Sequence, residues 1–168
     1  SQSDQAAISA NGRFVAFRSF ASNLVVGAAS RLFVRDQQLG TLAAVPLPLS
    51  SAVTPVISVN ATSCRSPRVA DNGDVVMICE MAAPTPAQAF VWRRASGQIS
   101  LLSRDSASAS TLGNALSGGL VSMSSDAQTI AFESQASNLV IGDGNGAADV
   151  FYRAPSAAPG LLFSSGFE

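Results

Sequence analysis

Thirteen residues near the start of this chain return near its end. Val15-Ala16-Phe17-Arg18-Ser19-Phe20-Ala21-Ser22-Asn23-Leu24-Val25-Val26-Gly27 reappears as Ile130-Ala131-Phe132-Glu133-Ser134-Gln135-Ala136-Ser137-Asn138-Leu139-Val140-Ile141-Gly142. Nine of the 13 positions are identical, at an offset of 115 residues. A fainter copy lies between the two. A chain that repeats itself in this way folds as a row of like units, each burying its apolar face on its neighbour. The repeat constrains the architecture strongly and the chemistry hardly at all.

Within each unit the strand signals keep one order. Unit 1 opens with Ala6-Ala7-Ile8-Ser9, turns at Asn11-Gly12 and continues as Arg13-Phe14-Val15-Ala16-Phe17-Arg18. Asn-Gly between apolar runs is a strong hairpin signal because both residues tolerate positive φ. Arg31 to Arg35 and Thr41 to Val45 supply a third and a fourth strand. Unit 2 repeats the plan around Asp71-Asn72-Gly73, and unit 3 around Asp126-Ala127. Gly12, Gly73 and Ala127 are 61 and 54 residues apart. Four short antiparallel strands per unit at such a period predict β-propeller blades. The expected fold is all-β, with three four-stranded antiparallel blades forming a partial or oligomer-completed propeller. Blade 1 is expected at about 5–46, blade 2 at 66–103 and blade 3 at 119–164, with polar links at 47–65 and 104–118. Val53 to Val59 within the first link reads as an extra edge strand, since Pro55 is tolerated at an edge.

Composition narrows the function classes. Only 12% of the 168 residues are charged, and all ten basic residues are Arg. At a net charge of -1 the chain has no basic field to hold nucleic acid or an anionic membrane. No apolar run approaches the roughly 20 residues of a membrane span. The chain opens at Ser1 rather than Met, which predicts a processed or excised product. Without His or Lys, a Ser, Cys or Thr nucleophile lacks its usual base, so the chain is not expected to be an enzyme. Glu80 and Glu133, near the ends of second strands, align with Arg18 in unit 1 and are read as structural.

The string that carries the repeat resembles the WD40-like repeat of TolB-type β-propellers, often called PD40. Ser9-Ala10-Asn11-Gly12-Arg13-Phe14-Val15-Ala16-Phe17 matches its first half, and Gly142-Asp143-Gly144-Asn145-Gly146-Ala147-Ala148-Asp149-Val150-Phe151 its second. The middle copy lacks the Ala-Ser-Asn-Leu-Val segment and has Pro84-Thr85-Pro86 there instead. The tail Leu161-Leu162-Phe163-Ser164-Ser165-Gly166-Phe167-Glu168 resembles the Gly-Phe-Glu ending of exported bacterial proteins. The resemblance implies a secreted or periplasmic bacterial protein that works through contact with other proteins.

Two smaller motifs point to chemistry. Cys64 and Cys79 are read as a disulfide rather than a zinc site, which wants about four ligands; the competing reading is two unpaired buried thiols. Asp143, Asn145 and Asp149 place three oxygen ligands in a Gly-rich loop, the kind of donor that calcium takes. The competing reading of that loop is an Asx turn. No other cofactor is expected. Trp92, Phe90, Phe33, Phe151 and Tyr152 fall on third strands and are read as inter-sheet core.

Closed propellers have about four to eight blades, and three leave the first and last sheets uncovered. The partner is therefore expected to be a second copy of the chain, first blade against last blade. Such a heterologous contact closes a ring or runs on as a filament. The residues expected at the contact are Ile8, Phe14, Val15 and Phe17 on one side and Ile130, Phe132, Val150 and Phe151 on the other. Two alternatives remain at this point: a propeller that binds a glycan or peptide, and a C-terminal fragment of a longer propeller protein.

Overall fold

The computed structural model describes residues 2–49, 53, 58–154 and 160–161. It contains twelve strands in three four-stranded antiparallel sheets, and no helix among the described residues. Blade 1 consists of β1 (Ser3–Ile8), β2 (Phe14–Ser19), β3 (Leu32–Asp36) and β4 (Thr41–Ala44). Blade 2 consists of β5 (Ala61–Val69), β6 (Val75–Met81), β7 (Gln88–Trp92) and β8 (Ile99–Leu101). Blade 3 consists of β9 (Ser117–Met123), β10 (Ile130–Ser134), β11 (Asp149–Arg153) and β12 (Gly160–Leu161). Blades 1 and 2 each run in chain order, first strand to fourth, and blade 3 does the same read from β9 to β12.

The turn between first and second strands has one conformation in all three blades. Gly12, Gly73 and Ala127 sit at φ of 74°, 84° and 59°, in the left-handed region that favours Gly. Each donates its N–H three residues back, to Ser9, Ala70 and Ser124 respectively. The loop closes differently in the middle. Ser9 N–H donates to Phe14 and Ser124 N–H to Thr129, but Ala70 N–H donates to Asp74. The blade 2 hairpin is therefore one residue shorter. Aligning the three units at their turns puts unit 2 one residue out of phase, and one residue in a strand exchanges the two faces. In the true alignment Val75 corresponds to Val15 and Ile130, and Met77 to Phe17 and Phe132. The register agrees: Phe17, Met77 and Phe132 lie opposite Phe33, Phe90 and Phe151.

Blade 2 is covered on both sides. All of β6 but Glu80 is buried, as is the whole of β7. This is why Val75-Val76-Met77-Ile78-Cys79 is a continuous apolar run instead of an alternation. Phe14, Ala16, Leu32 and Val34 of blade 1 join Val75, Met77, Phe90 and Trp92 in one core cluster. On the far side Val76, Ile78, Ala89 and Val91 pack with Ile130, Phe132 and Phe151 of blade 3.

Gly73 also sits in the first of these contacts. A Cβ there would lie 2.5 Å from Arg94 Cδ and 3.0 Å from Phe14 Cε1, whereas one on Gly12 meets nothing within 4 Å. Gly73→Ala is therefore expected to cost about 2–3 kcal/mol, the left-handed penalty plus the displacement of Phe14. Gly12→Ala should cost only about 1–2 kcal/mol. Urea midpoints of the two variants measure the difference.

Several boundaries differ from those expected. β5 starts at Ala61, inside the stretch expected to be a link, so Cys64 lies within that strand and directly opposite Cys79. The two form a disulfide. Double substitution to Ser is expected to remove about 3 kcal/mol, the loop entropy of a closure of this size. Thermal melts of the variant and of the oxidised chain check this. Val53 makes a single parallel bridge to Ile99 at the edge of blade 2, and Leu49 bridges Asn60. Residues 54–57 of the expected extra strand, and the tail 162–168, lie outside the described residues, and Ser58 and Val59 lie in no strand. The second link is pinned by two side-chain amides, Gln88 buried and Asn138 half-buried. Gln88 donates to the carbonyl of Gly113 at 3.0 Å and accepts from the Ser103 hydroxyl at 2.6 Å. Asn138, from the repeated segment, accepts from Asn114 N–H and donates to Asp105 and Leu112.

Candidate assembly faces

Each blade has two faces, and their phase follows from strand pairing. In blade 1 the face with Phe14, Ala16, Leu32 and Val34 points to blade 2. By the alignment above, Val76, Ile78, Ala89 and Val91 form the same face of blade 2, and they point to blade 3. The opposite face of blade 2 (Val75, Met77, Phe90, Trp92) receives blade 1, and that of blade 3 (Ile130, Phe132, Phe151) receives blade 2. The internal contacts are thus of one kind, made twice.

Polar contacts follow the same sequence around the blades. Asn11 N–H in the blade 1 turn donates to Asp71 Oδ1 at 2.8 Å, and Asp71 N–H donates to the carbonyl of Ser125 in the blade 3 turn at 2.8 Å. Asp36, 1% exposed, takes two bonds from Arg13 and lies 3.6 Å from Arg94 Nη2 of blade 2. The Arg13 guanidinium, helped by the N–H groups of Leu39 and Gln38, holds its carboxyl at about 2 against the opposing effect of desolvation. The sign is that of a lowered carboxylate: the folded state favours the ionised form. The stabilisation is complete above the unfolded value of about 3.9 and is lost as pH falls toward 2. Denaturation midpoints measured from pH 5 downward should fall, and Asp36→Asn should flatten that limb.

Two faces are left uncovered by the described residues. On blade 1, Ile8 lies opposite Val15, and Phe17 lies opposite Phe33. Ile8 is 65% exposed, and Val15 and Phe17 are partly so. Phe33 is buried beneath Phe17, their rings stacked at 5.7 Å. On blade 3, Ala131 lies opposite Tyr152 and Ser122, and Glu133 opposite Val150. Leu120 is 75% exposed and Val150 39%. Leu120, Ala131, Val150 and Glu133 line a shallow depression of about 210 Å³. Arg35 beside Val15 and Glu133 beside Val150 give the two faces opposite charges.

The residues expected at the contact divide accordingly. Ile8, Val15, Phe17 and Val150 are on the uncovered faces. Phe14, Ile130, Phe132 and Phe151 are not: each is 1–2% exposed and already packed between blades. Alternate strand residues face opposite ways, so one residue of the blade 1 set and three of the blade 3 set point inward. Leu120, Ala131 and Tyr152 were missed; the alternation Leu120–Val121–Ser122 on β9 is the signal that marks Leu120 as facing away from Val121.

Among the acids, Arg18 pairs with Asp4 at 2.7 Å and Arg65 with Glu80 at 2.9 Å. In the calcium candidate, Asn145 Nδ2 donates to both carboxylate oxygens of Asp149, and its Oδ1 accepts from Ala147 N–H at 2.9 Å. Burial, and then the charge of Asp149, push the Asp143 carboxyl up. The loop is an Asx turn. No group of three or more His, Cys, Asp or Glu gathers among the described residues.

The solved structures include similar folds. The crystal structure of TolB from Acinetobacter baumannii superposes with a TM-score of 0.52 at 11% identity, over 94% of this chain and 31% of that one. A structure from a study of two prolyl endopeptidases gives a TM-score of 0.48 at 13% identity, over 98% of this chain and 22% of that one. The chain therefore spans less than a third of the TolB chain it resembles. No family model and no curated protein matches. The fold is that of TolB-like propeller blades.

Proposed function

We propose that this chain is a non-enzymatic, exported propeller module that works by associating with further copies of itself. One observation carries the reading. The uncovered face of blade 3 is the kind that, in blades 1 and 2, meets the next blade. The uncovered face of blade 1 is the kind that, in blades 2 and 3, receives the preceding one. A second copy placed head to tail repeats a contact the chain already makes twice, and head-to-tail contacts close a ring or continue as a filament. Two copies of three blades reach the size range of closed propellers, about four to eight.

Export is supported by the Cys64–Cys79 disulfide, which suits an oxidising compartment. The resemblance to the PD40 repeat and to the Gly-Phe-Glu ending of exported proteins points the same way. Light scattering across a dilution series tests the reading. Particles of at least twice the 17.1 kDa chain mass are expected. A folded monomer at every concentration overturns it.

A further inference from the structure

Arg153 ends β11 and is 5% exposed, yet no carboxylate pairs with it among the described residues. Its Nε donates to the carbonyl of Leu102 and its Nη2 to that of Arg104, both at 2.7 Å. Nη1 is shielded from solvent and has no hydrogen-bond partner among the described residues. Burial, and then the neighbouring charge of Arg104, pull Arg153 down to about 9. A buried cation with no counter-charge is costly to keep, and a buried donor without an acceptor adds to that cost.

A groove of about 280 Å³ lies against this side chain, between blades 2 and 3. Its polar lining includes Arg93, Arg104, Gln98 and Gln128, with no Asp or Glu among the described residues that form it. Arg93 is already engaged with Asp74 at 2.9 Å and with the carbonyl of Ala127. Arg104 makes no side-chain hydrogen bond or ion pair among the described residues. The rest of the wall, including Val91 and Ile130, is apolar.

We infer that this groove binds a small monocarboxylate with an apolar body, its carboxylate between Arg104 and Arg153 and its body against Val91 and Ile130. The carboxylate supplies the negative charge that the two neighbouring guanidiniums lack, with Arg104 free to hydrogen-bond it directly and Arg153 held in place behind it by Leu102 and Arg104. The volume limits the ligand to about ten non-hydrogen atoms beyond the carboxylate, the size of one acylated amino acid. An apolar wall favours such a molecule over inorganic phosphate, which has no body to bury there. The site is away from the uncovered faces of blades 1 and 3, so it stands whether or not the chain associates with itself.

Calorimetric titration of the full chain tests the inference, with N-acetyl-leucine, its uncharged methyl ester and inorganic phosphate as probes. The acid should bind and raise the melting temperature. The ester should bind about tenfold more weakly or not at all, since it loses a charge-assisted bond. Phosphate should bind more weakly than the acid. Arg104→Ala should weaken the acid several-fold with an unchanged melt in the absence of ligand. Arg153→Gln should abolish binding, and if that variant fails to fold, the Arg104 variant decides. Equal binding of acid and ester, phosphate binding as tight as the acid, or an Arg104→Ala titration identical to the parent each overturns the inference.

Discussion

Val150→Arg is expected to break self-association and leave the chain folded. Val150 is 39% exposed on the uncovered face of blade 3, opposite Glu133. In the separate chain the new guanidinium stays in water and has a carboxylate across the strand pair, so the melt should hardly move. In the assembly the same position meets the apolar face of a partner's first blade. Desolvating a charge against that face is costly even with Glu133 opposite it, because the pair's attraction does not repay the water both groups lose. A loss of about a hundredfold in the association constant, roughly 2.7 kcal/mol, is the expected effect. Leu120→Asp, at a position 75% exposed, should do the same through the opposite charge. Phe132→Asp is the wrong probe, because Phe132 is 1% exposed between blades 2 and 3 and its loss unfolds the blade. Light scattering beside a circular dichroism melt separates the two effects. If both surface variants keep the parent's particle mass, this face is not the contact.

The sequence was most legible where local chemistry decides alone. The three turns are visible as Asn-Gly, Asn-Gly and Asp-Ala because a left-handed residue is needed at the same step in each hairpin. The continuous apolar run of β6 marks the sheet that is covered on both faces. What stayed hidden depends on one residue of loop length. The blade 2 hairpin closes from Ala70 to Asp74 where its neighbours close across one residue more. Nothing in Asp71-Asn72-Gly73 announces that difference, and it exchanges the faces of the strand that follows. For the same reason Glu80 does not stand where Arg18 and Glu133 stand. Glu80 pairs with Arg65 on its own blade, and Arg18 with Asp4. The candidate faces were legible by composition but not by direction. Phe132 and Phe151 look like surface anchors until their register shows that they stack with each other, 5.9 Å apart, against blade 2. Arg153 was not legible as a site at all. Its burial comes from packing against the Leu102–Arg104 segment, about fifty residues away in sequence.

Phe90→Ala is expected to be the most destabilising single truncation in the chain, at about 3–5 kcal/mol. Phe90 is fully buried, lies opposite Met77 and Leu101, and belongs to the cluster that joins blades 1 and 2. Neighbours on both sides are held by disulfide, strand pairing and the facing sheet, so the site cannot collapse to fill the space. Phe17 occupies the equivalent face of blade 1, opposite Phe33, but no preceding blade covers it. In dilute solution Phe17→Ala should therefore cost much less than Phe90→Ala, about 1–2 kcal/mol. The two costs should behave differently with concentration. A partner that binds the folded chain stabilises it by mass action, and that gain disappears when the face is damaged. Raising the protein concentration should raise the melting temperature of the parent and of Phe90→Ala alike, and should leave Phe17→Ala where it was. A parent melt that does not depend on concentration, with Phe17→Ala parallel to it, would show that the first blade meets no second copy.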